Sequence, residues 1–328
     1  MTPQGGNAKV TPMIDALLTP PRAQAAPSRH YTLGGTTVDV ARLAPGLHIV
    51  ATPIGNLGDI TLRALQALAG ADMIACEDTR VTRKLLTRYG IATPLTPYHE
   101  HNAAKARPLL LRRLSEGAGI ALVSDAGTPL VSDPGYKLVR AVQEAGHAVM
   151  ALPGASALLA GLTVAGLPTD QFLFAGFLPP KEAARRARIA ELARIPATLV
   201  LFETGPRLAA ALADLAAGLG DNREAAVCRE LTKLHEEIRR ADLATLAATY
   251  ADSPPRGEIV VVIAPPQPPA RIGAAETAAL LRQALGRVSL KDAVGEVADA
   301  TGLPRREVYQ HALAIAKSAK EAKHGAPR

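Results

Sequence analysis

The sequence predicts a two-domain α/β protein: a parallel-sheet N-terminal domain, a mixed-sheet second domain and a C-terminal helical appendage. Three observations carry this expectation. Between Leu47 and Leu152, short apolar runs alternate with helical patterns, the signature of buried parallel strands joined by right-handed crossovers. Near Ala225–Arg240, two strand-like stretches follow each other with no full helix between them, which implies antiparallel pairing. Beyond Ser289, two amphipathic patterns flank Thr301-Gly302, as in a helix–turn–helix.

The elements follow in order. Residues 1–45 are rich in Pro, Gly, Thr and Ala without periodicity and read as a disordered extension. Strands are expected at Leu47–Thr52, Met73–Cys76, Ile120–Ser124 and Ala148–Leu152. Helices are expected at Ile60–Ala69, Thr79–Tyr89, Asn102–Glu116 and Tyr136–Ala145. Together with a short tail these make a domain over 46–157. After an Ala/Leu-rich helix ending near Gly166, the second block (158–265) offers strands Phe172–Phe177, Thr198–Phe202, Ala225–Arg229, Glu236–Arg240 and Glu258–Ala264. Its helices are Lys181–Ala193, Pro206–Ala217 and Leu243–Tyr250. Pro265-Pro266-Gln267-Pro268-Pro269 opens a linker over 266–274. In the tail, 275–328, Ser289 is a plausible N-cap and Pro304 an N1 residue of the second helix.

Composition narrows the function. The chain has 328 residues, 48% hydrophobic, enough for two cores. Its two cysteines, Cys76 and Cys228, sit in apolar strands; they exclude a disulfide framework and fit a reducing cytoplasm. No apolar run approaches the roughly 20 residues of a membrane span, and no secretory signal opens the chain. A net charge of +7 favours a polyanionic partner or an acidic substrate. Aromatic residues are 3% of the chain with no Trp, so base-stacking platforms are not the binding device.

Chemistry collects at four strand ends. These are Thr52-Pro53-Ile54-Gly55-Asn56-Leu57-Gly58-Asp59-Ile60-Thr61, Glu77-Asp78-Thr79-Arg80, Ser124–Gly135 and Pro153-Gly154-Ala155-Ser156. In a parallel sheet all four share the carboxyl edge, where open α/β folds bind ligands. The third is the most over-equipped, with two Asp, two Pro and two Gly after Ser124. Gly127 and Gly135 allow close backbone approach, while Pro129 and Pro134 stiffen the loop. The fourth offers helix N–H groups to a carboxylate. No G-x-G-x-x-G, P-loop or G-x-S-x-G motif is present. His99-Glu100-His101-Asn102 lacks a third ligand, so a metal site is not expected; the segment either packs at the cleft mouth or meets substrate. Glu77–Arg80 and Arg229–Lys233 read equally well as structural ion pairs or as working groups. Lys181, Arg185, Arg186, Arg188 and Arg194 form either an RNA track or a solvated face. The tail carries ten Lys or Arg against six Asp or Glu from Arg271 on, and is either a nucleic-acid reader or a solvated helix pair.

Taken in order, Thr52–Leu57, Glu77–Arg80, His99–Asn102, Val123–Pro129, Gly176–Pro179, Arg229–Lys233 and Gly257–Val260 resemble the ribosomal RNA small subunit methyltransferase I family, an RNA-modifying branch of the tetrapyrrole methylase superfamily. The likeness spans Leu47 to Ala264. It implies a tetrapyrrole-methylase-like fold, a homodimer, S-adenosylmethionine in a cleft between domains, and 2′-O-methylation of a cytidine ribose in the decoding region of 16S rRNA on the small ribosomal subunit. The single glycine of Thr52–Leu57 favours the RNA branch, since small-molecule members carry a denser Gly/Pro loop there.

The resemblance also implies the cofactor contacts, and the residues themselves suggest the acid–base and RNA-binding candidates. Cofactor contacts fall to Asp125, Ala126, Gly127 and Ser132; to Pro153, Ala155 and Ser156; to Phe202 and Glu203; to Arg229, Glu230 and Leu231; and to Gly257 and Glu258. Asp125, Glu77, Asp78 and Glu230 are candidate proton acceptors, with Arg80 or Lys233 holding phosphate or lowering a neighbour's pKa. The residues meeting RNA would be Asn56, Arg80, His99, His101, Arg185, Arg186, Arg305 and Arg306. Two other functions remain open: a methylase of a small tetrapyrrole-like metabolite, and a non-catalytic nucleic-acid binder whose core only dimerises.

Overall fold

A computed structural model describes residues 29–133, 135–266 and 273–324. The chain divides into two compact units, Met1–Ala160 with Leu231–His235, and Gly161–Glu230 with Glu236–Arg328. The first is built on a five-stranded sheet: β3 (Gly46–Val50), β4 (Met73–Cys76), β5 (Leu95–Pro97), β6 (Gly119–Val123) and β7 (Val149–Leu152). They lie in the order β5-β4-β6-β3-β7, every pair parallel. Both faces are covered, which is why β6 is buried at every residue.

Helices α1 (Leu62–Gly70) and α2 (Thr79–Arg88) pack Leu65, Leu68, Leu85 and Leu86 on one face. Helices α3 (Ala103–Ser115) and α4 (Tyr136–Glu144) pack Leu110, Leu114, Leu138 and Val142 on the other. The connection leaving β3 therefore covers one face and that leaving β6 the other. Adjacent strands whose connections diverge in this way define a topological switch point.

Disorder was expected over 1–45, but β1 (His30–Leu33) and β2 (Thr36–Asp39) form an antiparallel hairpin. Gly34 and Gly35 supply the two positive φ values, +58° and +83°, that a two-residue turn needs. Tyr31 is buried, and Asp72 binds Arg29 and Arg42. Residues 1–28, where the rest of that expectation falls, are outside the described residues. The short strand β5 was also unanticipated, because three residues give no periodicity to read.

The second unit holds β8 (Phe172–Phe177), β9 (Thr198–Thr204), β10 (Glu224–Arg229), β11 (Glu237–Asp242) and β12 (Glu258–Ile263), in the order β11-β10-β12-β9-β8. Only β8 and β9 run parallel, so the sheet is mixed. α5 (Ala157–Ala165) spans the boundary between units, and α6 (Glu182–Leu192), α7 (Gly205–Leu219) and α8 (Leu243–Ala251) follow. Leu192, Leu208, Leu212, Leu246 and Val261 are among its core residues. The proline linker falls mostly outside the described residues.

A separate small core ends the chain. α9 (Ala274–Leu285), α10 (Leu290–Thr301) and α11 (Arg305–His324) enclose Leu281, Val294, Val297, Val308 and Ala312. Ser289 caps α10, and Gly302 in the left-handed conformation ends it. α11 starts one residue after Pro304, and α9 adds a third helix to the expected pair.

Candidate functional site

The four expected strand ends of the first unit are joined to one another. Thr52 and Gly127 exchange backbone hydrogen bonds (2.9 and 3.0 Å) across the switch point between β3 and β6. The Thr128 hydroxyl donates to the Ala155 carbonyl at 3.2 Å, tying in the loop after β7. The Asp78 N–H donates to Asp125 Oδ1 at 2.9 Å, tying in the loop after β4. Gly154 lies against Ala51, where an added Cβ would stand 3.0 Å from that residue's methyl group. The result is one continuous rim.

Two positions in the loop after β6 carry backbone strain. Among the described residues, the non-glycine residues with positive φ are Leu130 (75°), Ser132 (63°), Glu230 (50°) and Thr232 (66°). Such conformations cost on the order of 1–3 kcal/mol each and persist where surrounding structure imposes them. Gly127, at φ 74°, supplies the same conformation without a side chain. Pro134 lies outside the described residues.

The rim is acidic. Burial pushes the Glu77 carboxyl above its ordinary range, and the charges of Asp125, Asp133 and Asp78 push it further. Asp133 is likewise raised, first by burial, against a hydrogen bond from Ser124. Asp78 behaves oppositely: hydrogen bonds from the Arg80 side chain and N–H hold it at about 2. Two carboxylates of one cluster are thereby tuned apart. Among the described residues no three His, Cys, Asp or Glu converge for a metal ion.

The second unit gathers its own set. In the β9–β12–β10 ladder, Ile259 lies between Glu203 and Arg229. Glu230 donates its N–H to the Glu258 carbonyl, and its Oε1 accepts from the Glu258 N–H, both at 3.0 Å. Gly257, at φ 101°, sits where a Cβ would stand 2.6 Å from the Glu230 carboxyl carbon. Glu203 is buried and pushed upward by that burial; Oε1 accepts from the Thr204 N–H and faces Arg207, while Oε2 has no partner among the described residues. Phe202 stands edge-on to Phe174 and Phe177.

Comparison with known proteins gives this arrangement its context. Residues 46–247 match the family model for tetrapyrrole (corrin/porphyrin) methylases. The chain belongs to the tetrapyrrole methylase family. Residues 272–316 match a second model, the RsmI C-terminal HTH domain. A ribosomal RNA small subunit methyltransferase I of Mesorhizobium japonicum is 48% identical over 294 residues, 89% of this chain and all of that one. One of Erythrobacter litoralis is 54% identical over 273 residues, 83% of this chain and 96% of that one. Two solved structures share the fold: a cobalt precorrin-4 methyltransferase of cobalamin biosynthesis and a diphthine synthase. Their TM-scores are 0.52 and 0.53 at 17% and 18% identity; each covers 66% of this chain, and 94% and 89% of its own. Like its relatives in the family, this chain is a methyltransferase.

The residues expected to meet RNA differ in exposure and in the partners they already hold. Arg185 is the clear correction: it is buried, and its guanidinium grips Asp214 at 2.6 Å. Arg186 is exposed but binds the same carboxylate at 2.8 Å. The helical wheel of α6 gave no hint, because the partner is 28 residues further on, in α7. Arg80 is exposed and locked to Asp78. Asn56 is exposed and accepts the Gly58 N–H. His99 and His101 meet edge to face at 6.1 Å, with Asn102 bound to the backbone of His99 and Pro97. Arg305 faces Asp299 at 3.6 Å, and Arg306 is exposed on α11. Sequence reading also missed Tyr89, whose hydroxyl donates to the Leu57 carbonyl and pins the loop after β3; only a lone aromatic at a helix end could have signalled it.

Proposed function

We propose that this protein transfers a methyl group from S-adenosylmethionine to the 2′-hydroxyl of a cytidine ribose in 16S rRNA, acting in the cytoplasm as a homodimer on the small ribosomal subunit. The names of its relatives support the rRNA substrate, and the +7 net charge suits a polyanion. The observation that carries the reading is the joined rim around Thr52 and Gly127, placed at the sheet's switch point. The domain limits read from sequence, including 46–157 and 158–265, remain part of the proposal.

The rim suits the methyl donor. The carboxylates of Glu77, Asp78, Asp125 and Asp133 suit a cationic sulfonium. In this reading Asp125, Ala126, Gly127, Ser132, Pro153, Ala155 and Ser156 hold the donor, and Phe202, Glu203, Arg229, Glu230, Leu231, Gly257 and Glu258 complete the contacts. When bound, S-adenosylmethionine supplies a methyl on an excellent leaving group, so the protein's task is alignment and exclusion of water.

The substrate hydroxyl still has to lose its proton. Glu77 is the acceptor best suited to this, because its raised pKa brings it closer to working pH than an ordinary carboxylate. Asp78, held at about 2 by Arg80, is a weak base and instead fixes Arg80. Asp125 positions the loop after β4 through the Asp78 N–H. Lys233 and Arg80 supply positive charge for the ribose-phosphate backbone. Arg306 on α11 is a further exposed cation for RNA.

Mass mapping of ribose methylation in rRNA tests this. Deleting the gene should remove one 2′-O-methylcytidine from 16S rRNA, the intact gene should restore it, and the Asp125→Ala variant should not. An unchanged rRNA methylation map would refute the assignment and favour a small-metabolite substrate.

A further inference from the structure

The loop after β3 contains an unexplained glycine. Gly55 has a φ of 156°, and the Lys233 side chain lies against its α-carbon. A Cβ built on Gly55 would overlap Lys233 Cγ and stand 2.6 Å from Cε and 3.0 Å from Cδ. The contact therefore follows the whole aliphatic stem, up to the carbon that carries the ammonium. Both residues belong to the first unit, Lys233 through the segment Leu231–His235. The chain takes positive φ values at Glu230 and Thr232, on either side of Leu231, just before the lysine. Leu231, at the start of the segment, is buried and anchors it, whereas Leu234, next to the lysine, is almost fully exposed.

We infer that Gly55 is a positioning residue: its missing side chain forms the track along which Lys233 lies, and so fixes where the Lys233 ammonium meets a phosphate of the RNA substrate. This role rests on the one proposed above for Lys233. It gives a job to the one glycine of Thr52–Leu57. Any larger residue at position 55 lifts the lysine stem off the loop and moves its charge by a distance on the ångström scale.

A double-mutant cycle on the full-length protein tests it, with kcat and KM measured on purified small subunits for wild type, Gly55→Ala, Lys233→Ala and the double variant. The backbone cost of alanine at this φ is common to both halves of the cycle and cancels. Gly55→Ala should cost about 100-fold in kcat/KM when Lys233 is present, the scale of an ångström-sized misplacement. In the Lys233→Ala background the same substitution should cost no more than about twofold. Calorimetric affinity for S-adenosylmethionine should stay within about twofold throughout, because the effect is on substrate placement.

Equal losses in both backgrounds, or a matching loss of S-adenosylmethionine affinity, would overturn the inference while leaving the role of Lys233 standing. A neutral Lys233→Ala would remove both. If Gly55→Ala prevents folding beside Lys233, recovery of a folded protein in the Lys233→Ala background supports the contact, and failure in both backgrounds overturns it.

Discussion

Asp214 is where a buried charge can be removed with a calculable effect. Its carboxylate accepts Arg185 Nε at 2.7 Å and Nη2 at 2.6 Å, and Arg186 Nε at 2.8 Å. The side chains of Arg185 and Asp214 are only 10% and 6% exposed, so Asp214→Ala strands a guanidinium in the second unit's interior. Breaking a buried pair in this way costs about 3–5 kcal/mol, whereas the exposed Arg186 contributes at most about 1 kcal/mol. At roughly 2–4 °C per kcal/mol for a unit of this size, the melting temperature should fall by roughly 10 °C. Replacing both partners, Arg185→Met with Asp214→Leu, should recover most of that loss, because no buried charge remains. Urea unfolding followed by circular dichroism gives the stabilities, and methylation of small subunits gives the activity. Asp214→Ala with wild-type stability would refute the argument. So would a stable double variant that no longer methylates, since Arg185 would then be needed by the RNA and not by the fold.

Two further predictions concern the first unit. Burial alone would raise the Asp72 pKa, but Arg42, Arg29 and the Gly119 N–H outweigh it and hold the group at about 2. A carboxyl whose folded pKa lies below its unfolded value of about 3.9 stabilises fully above that value and loses the effect as pH falls toward 2. Asp72→Asn should thus cost about 1–2 kcal/mol at pH 7, with the gap from wild type closing between about pH 4 and pH 2 in urea titrations. A gap that does not change with pH would contradict it. Glu77→Gln should lower kcat by about 10²–10⁴-fold while calorimetric affinity for S-adenosylmethionine is retained. The acid limb of the wild-type rate profile should lie above the ordinary carboxylate range, in the direction of the Glu77 shift. A wild-type kcat in that variant would pass the proton to another acceptor.

Much of the site was readable because it depends on local sequence. Buried parallel strands announce themselves as apolar runs, and the loops that follow them must then share one edge, so Thr52, Asp78, Asp125 and Ala155 could be grouped before any coordinates. Long-range pairing was not readable. Arg185 looked like part of a basic face because nothing nearby in sequence revealed Asp214. The β1–β2 hairpin has a local signal, Gly34-Gly35 between Tyr31–Leu33 and Thr36–Val38, but the irregular composition around it masks that turn. Gly55 appeared only as a motif letter, since the lysine it accommodates lies 178 positions further on.

The measurement closest to the central claim is a calorimetric titration of S-adenosylmethionine into wild type and Gly127→Val. Position 127 has φ 74°, and a Cβ there would stand 3.3 Å from Ile54 Cγ2, so valine disturbs the Thr52–Gly127 bridge where the donor is proposed to lie. Saturable binding by wild type, with no detectable heat from a variant that keeps its circular dichroism spectrum, is the predicted result. Equal affinity in both proteins would place the donor elsewhere and contradict the account.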